Sequence, residues 1–429
     1  MKSTANYLDT QNLAIRVEHS QVILGFILLL FLADGANSLL ESIGAPFYRI
    51  SIIFRSIALV YFLWIVLPSN LGRRLGKIIL LFYAIFSIGT FSALGMFTEY
   101  NFPENFSLVN KFLFFFICWV TFTTIFKRKK DREQLFKVFE LIIWIEVITV
   151  LLGFILEIDV LSSYGNRRFG YKGLIPAQNE VSGFFLIAFF YYLAKVNYLG
   201  KDLLKLIVVT IAGLITGTKV MLALPLVLTL QMFYWLSRSK VNAKYVYIGI
   251  ALALLLGAAA FYWESILVRL APTLNYYAYR IANEDYSPFV IVGSSGRLIL
   301  IEKFIAEYLP RYNLLNILFG GQDLTSFSTE TDVIDVFARF GIIGSLAFYI
   351  LYLKLLVRDV RRVYIVRFLF AIIWLGVSTV AGHLVFSAIN GGYLAILLMA
   401  FSTMESYQNS EWKKADVMPA SGNEKNQSA

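Results

Sequence analysis

FLFFFICWVTFTTIFKRKKDREQLFK, residues 112–137, decides the fold. Positions 112–126 carry no charge, and the next eleven positions, 127–137, hold six Lys/Arg. An uncharged apolar run that gives way to a cationic loop marks a helix leaving the bilayer on its cytoplasmic side. The same alternation recurs along the chain. Of its 429 residues, 58% are hydrophobic and 15% charged, with a mean hydropathy of +0.69. Soluble domains lie near 45–50% apolar and about 25% charged. The fold class is therefore all-α: a polytopic integral membrane helical bundle with one larger outward-facing loop.

About 12 transmembrane helices are expected, at roughly 21–40, 47–67, 77–97, 111–126, 137–157, 179–196, 203–217, 219–236, 244–262, 333–353, 367–381 and 383–401. The integral domain covers 1–404, with its outward loop at about 263–332, and 405–429 reads as a disordered cytoplasmic tail. The even-numbered connections are PSNLGRRLGK, KRKKDREQLFK, KVNYLGKDLLK, SRSKVNAK and KLLVRDVRRVYIVR. Together they hold twenty Lys/Arg against four Asp/Glu. The early odd-numbered loops, ESIGAP and TEYNFPENFSLVN, contain acids and no cation. Both termini are thus expected in the cytoplasm. The net charge of +10 belongs to this bias and calls for no nucleic acid. One cysteine and two histidines leave no basis for a disulfide framework or a metal centre, and no cofactor is expected.

Against that bias, several cations fall on the outward side: Arg167, Arg168 and Lys172 in GNRRFGYKGLIPAQNE (165–180), Lys219 in TGTK (216–219), and Arg297 in SSGR (294–297). His383 lies at another outward turn. One cation can snorkel to head groups or pair with an acid. Several from separate connections are explained more economically by one shared anion, since Arg offers phosphate oxygens a planar fork and Lys a point charge. Other embedded charges read as structural: Asp34 with Arg55 at similar depth, Asp335 with Arg339 at i, i+4, and Glu146 in the fifth span. The segment GRLILIEKFIAEYL (296–309) has the spacing of an amphipathic helix.

At these residues the chain resembles the polytopic glycan polymerases and ligases of bacterial surface polysaccharides, the Wzy-type O-antigen and exopolysaccharide polymerases and the related O-antigen ligases. The matching pieces are RRFG followed by QNE, TGTK between short spans, GR opening the outer helix, NILFGGQ, and TETDVIDVFARFGIIGS, in that order over about 165–400. Arg168 with Gly170 resembles the Arg-x-Gly pattern of that family and Asn179 its following Asn. Lys219 stands where a Ser-Arg pair is usual. Ligases of the family tend to carry a His about eleven residues before the GxxG of the next span; this chain has Glu330 there, which favours a polymerase.

The resemblance implies a glycan donor on undecaprenyl diphosphate and a second lipid-linked repeat unit as acceptor, at the outer leaflet of the inner membrane. Membrane lipid, a chain-length regulator and a flippase are the further partners it suggests. Arg168, Lys219 and Arg297 are then expected to hold the diphosphate, with Arg167, Gly170, Lys172 and Asn179 shaping the substrate site. Glu330, Asp332 or His383 would orient or deprotonate the acceptor hydroxyl. The competing readings are a ligase that transfers glycan to lipid A–core and a flippase of lipid-linked glycan. A flippase should show two similar halves and cations at mid-membrane depth, and neither is visible.

Overall fold

A computed structural model describes residues 2–45, 50–94, 100–164, 168–238, 263–357 and 365–417. They form a helical bundle with no named strand among the described residues. Seven of the described helices are long and apolar enough to cross a membrane, and four shorter apolar helices accompany them. The ninth expected span, 244–262, lies outside the described residues.

Three helices form the centre: α4 (Phe102–Ile125), α6 (Gln178–Ala194) and α14 (Ala388–Val417). From Val181 to Ala194 every residue of α6 is buried, because VSGFFLIAFFYYLA offers no polar face to exclude from the interior. Small residues let the backbones approach: a side chain at Gly183 would run into the Asn390 amide, and one at Gly391 into Phe115. Around this centre lie α1 (Lys2–Ser42), α2 (Ile50–Val66), α3 (Asn70–Ala93), α5 (Lys129–Leu156), α7 (Leu203–Ile215), α8 (Ala223–Arg238), α12 (Asp332–Leu356) and α13 (Ile365–Ala381). Large apolar side chains such as Val60, Trp64, Leu80 and Phe91 face outward from this ring, as they should against hydrocarbon. Rings tie the layers together: Phe112 of α4 stacks near Phe340 and Phe348 of α12, with centroids 4.6 and 4.2 Å apart.

The embedded charges Asp34, Arg55, Glu146, Asp335 and Arg339 each have a polar partner. Asp34 of α1 and Arg55 of α2 form an ion pair, as their shared depth suggested. Glu146 accepts from the backbone N–H of Leu174 at 3.0 Å and pins the 173–175 turn. The expected Asp335–Arg339 pair is not formed. Asp335 instead accepts from Ser328 and Thr329, while Arg339 donates to the Tyr100 hydroxyl and the Gln322 carbonyl. The i, i+4 spacing allowed that pair, but the neighbouring loops supply closer partners.

Helix ends differ from the apolar windows for local reasons. α4 begins at Phe102, nine residues before the expected span, because Asn101 caps it by accepting from Glu104 N–H and Pro103 fits its first turn. α3 begins at Asn70, capped by Ser69. α14 starts at Ala388 and not at 383, since the Asp332 carboxylate holds the N–H groups of Leu384 and Val385 outside the helix, both at 3.0 Å. At its other end α14 runs to Val417, past residue 405, where the sequence suggested a disordered tail; residues 418–429 lie outside the described residues.

The connections sort to two ends of the bundle. At one end, Lys195 and Lys205 meet Glu140 and Asp202. At the other gather the segments 157–177, 216–222, 284–331 and 382–387, together with α9 (Trp263–Asn283), α10 (Arg297–Lys303) and α11 (Leu314–Phe319). The amphipathic stretch 296–309 is helical as expected, with α10 continuing into a widened turn at Phe304–Tyr308.

Candidate active site

Two turns interlock at the second end. Gly170 and Gly217 face each other so closely that a side chain on Gly217 would lie 2.2 Å from the Phe169 carbonyl oxygen. Gly217 also has φ +72°, a region other residues enter only at a cost. Tyr171 N–H donates to the Ile215 carbonyl at 3.2 Å, and the Gln178 amide donates to the Thr216 carbonyl. From the outside, Thr273 of α9 accepts from Phe169 N–H at 2.8 Å. Residues 168–170 and 216–219, about fifty residues apart in sequence, thereby form one surface.

That surface brings the cations together. The Arg168 guanidinium lies over three phenol rings, 4.2 Å from the Tyr164 centroid and 5.3 Å from those of Tyr276 and Tyr277. The Lys219 ammonium is 4.7 Å from the Tyr277 ring. It also donates to the Val292 carbonyl and, at 2.8 Å, to the Ser295 hydroxyl. Ser295 and Gly296 have φ values of 59° and 85°, so Lys219 holds a left-handed turn whose next residue is Arg297. Arg297 is mostly buried and has Glu330, Tyr164, Asp332 and Tyr277 for electrostatic neighbours. Its closest acid is Glu330, 3.7 Å away. Burial pulls its guanidinium below the usual value and pushes the Tyr164 phenol up.

A second turn is built similarly. Gly382 and His383 have φ values of 56° and 62°, and a side chain on Gly382 would lie 1.8 Å from the Glu330 carbonyl oxygen. Asp332, fully buried, anchors this turn from behind through Leu384 and Val385. Its geometry is that of a positioning group. Glu330, whose side chain is 51% exposed, is the carboxylate that faces the open side of the site beside Arg297.

Arg168, Lys219, Arg297, Glu330, Asp332 and His383 thus meet at one end of the bundle. Lys172 lies apart. Its neighbouring charge is Glu41 at the end of α1, and burial lowers its ammonium from the usual value. Gly170 serves the turn contact, Asn179 opens the first turn of α6, and Arg167 lies outside the described residues.

The decisive feature is a set of unmet donors. Among the described residues, Arg168 Nε, Arg297 Nε, the Tyr277 hydroxyl and the Ser163 hydroxyl are all shut off from solvent with no hydrogen-bond partner. Each such group costs about 1–3 kcal/mol when left unpaired, more when charged. All four can donate, and two are cationic; the unmet acceptors at the same end, Gln178 Oε1 and Asp332 Oδ1, belong to the neighbouring turns. Such a lining fits an anion with several oxygens. Tyr164 and Ser163 are not singled out by the sequence, whereas Tyr277 belongs to NYYAYR (275–280), whose rings suit stacking on sugar faces. Tyrosines near a bilayer surface are common, and Ser163 belongs to no recognisable motif.

Lys219 differs from the two arginines in having its donors already engaged. Lys219→Met is expected to cut activity about tenfold to a hundredfold, the usual effect of losing a charged hydrogen bond. It should also speed amide hydrogen exchange in 292–297, whereas Arg168→Ala should leave that segment protected. Exchange measured by mass spectrometry on both variants checks the assignment.

A family profile described as O-antigen ligase like membrane protein matches residues 18–288, more than half of the chain. The match takes in Arg168, Lys219 and Tyr277 and ends before Arg297. A search of curated proteins finds no match to the chain.

Proposed function

Because the chain belongs to the O-antigen ligase like membrane proteins, we propose that it polymerises glycan repeat units carried on undecaprenyl diphosphate, with the site end facing outward. The observation that carries this reading is the group of buried, unmet donors around Arg168 and Arg297. In the reaction, an acceptor hydroxyl oxygen forms a bond to the anomeric carbon of the donor glycan. The bond from that carbon to the diphosphate oxygen breaks, and its electron pair leaves with the diphosphate. Charge grows on the departing oxygens, where fixed donors stabilise the transition state most. Arg168 and Arg297 supply them, while Lys219 adds positive charge and holds the 292–297 turn. The Glu330 carboxylate takes the hydroxyl proton, a role supported by its 3.7 Å contact with Arg297. Asp332 and the Gly382 turn hold His383 at the same edge, where it orients the acceptor.

A polymerase is favoured over a ligase by Glu330 in the place where ligases tend to carry His. The cationic loops at the opposite end favour a cytoplasmic side for that end, which supports a site at the outer leaflet of a bacterial inner membrane. Purified protein in detergent, given a lipid-linked repeat unit, should yield a ladder of lengthening glycans. Transfer onto lipid A–core without a ladder would indicate a ligase. Movement of the lipid-linked unit across a membrane without any new glycosidic bond would indicate a flippase.

A further inference from the structure

Tyr277 is the residue on which the three cations converge. Lys219 and Arg168 both lie within 5.3 Å of its ring centroid, and it is an electrostatic neighbour of Arg297. It projects from α9, the helix that also fixes Phe169 through Thr273. Its hydroxyl is closed off from solvent and unpartnered among the described residues. This unmet hydroxyl, unlike those of Tyr192 and Tyr349 in the bundle, lies in a cationic hollow, where phenylalanine would fill the same space without the desolvation cost.

We infer that the Tyr277 hydroxyl is a direct ligand of the substrate diphosphate, donating its hydrogen bond to a non-bridging oxygen held between Arg168 and Arg297. This rests on the diphosphate reading given above and adds a neutral donor to its cationic grip. The ring and the hydroxyl then have separate tasks. The ring face attracts Arg168 and Lys219 and sets their spacing. The hydroxyl discriminates, because a donor set beside both Arg168 and Arg297 is met best by a diphosphate that spans the two. Ser163, whose N–H is held by the Gly170 carbonyl at 2.9 Å, carries a similarly unmet hydroxyl on the adjoining turn.

Tyr277→Phe isolates the hydroxyl. The full chain in detergent is titrated with farnesyl diphosphate, and with farnesyl monophosphate for comparison, alongside Arg168→Ala and Arg297→Ala. The expected result is a loss of diphosphate affinity of about tenfold or more in Tyr277→Phe, the usual effect of losing a hydrogen bond to a charged group. Monophosphate binding should change less, and the thermal midpoint should stay unchanged or rise, since an unmet buried hydroxyl has been removed. Diphosphate affinity within twofold of the unmodified chain, with both arginine variants impaired, would overturn the inference and leave the functional reading standing. A lowered thermal midpoint would also overturn it, by showing the hydroxyl to be satisfied within the protein. No preference of the unmodified chain for diphosphate over monophosphate would overturn both.

Discussion

Arg168→Ala is expected to lower the rate of glycan transfer by about a hundred- to a thousandfold, the effect of removing one fixed donor from a developing oxyanion. The side chain is well suited to produce so large an effect. Its guanidinium is held over Tyr164, Tyr276 and Tyr277, so little freedom is lost when it meets an anion. Its Nε is buried and unpartnered among the described residues, so its hydrogen bond is unmade until substrate arrives. Because the variant gives up ring contacts but no hydrogen bond of Nε, it should reach normal abundance in the membrane. Single lipid-linked units should then accumulate while long glycan disappears. Arg168→Lys should recover only part of the rate, since an ammonium lacks the planar fork. Turnover of a purified lipid-linked repeat unit, normalised to protein, measures this.

Gly217→Ala should be strongly damaging for so small a substitution. The added methyl would lie 2.2 Å from the Phe169 carbonyl oxygen and 2.8 Å from the Gly170 Cα, both main-chain atoms that cannot swing aside. The left-handed φ of +72° adds its own cost. Overpacking costs about 1–3 kcal/mol and the left-handed conformation about 1–2 kcal/mol, so a loss near 3 kcal/mol is expected. Activity should fall further than stability, because the only relief is to separate the turn bearing Arg168 from the turn bearing Lys219. Gly376→Ala provides the contrast. It lies within α13, and nothing stands within 4 Å of the added methyl. That variant should be tolerated or slightly stabilised. Thermal unfolding and turnover of the two variants in the same detergent check both expectations.

The bundle was legible because hydrocarbon imposes long apolar runs, and the sorting of Lys and Arg between connections gave it two distinct ends. Helix starts were less legible. An apolar window detects the part of a helix in lipid, whereas Asn101, Ser69 and the Asp332 carboxylate set ends outside that part. The meeting of Arg168, Lys219 and Arg297 could be anticipated because each is a cation where the bilayer disfavours one. Their division of labour could not. That Lys219 faces Val292 and Ser295, while the arginines keep unmet donors, depends on left-handed turns at 295–296 and 382–383 that leave little trace in sequence. Lys172 looked equivalent to its neighbours along the chain. A turn pinned by Glu146 separates it from them and leaves it facing Glu41. Asp332 looked like a loop carboxylate at a helix start, but two backbone N–H groups claim one of its oxygens.

The most direct measurement is a structure of the protein, determined experimentally with a polyprenyl diphosphate bound in a lipid bilayer. Phosphate density bounded by Arg168, Arg297, Tyr277 and Ser163, with Glu330 on its open side, is the expected result. Phosphates bound at the opposite end of the bundle, or Arg168 and Arg297 turned away from a common ligand, would contradict it.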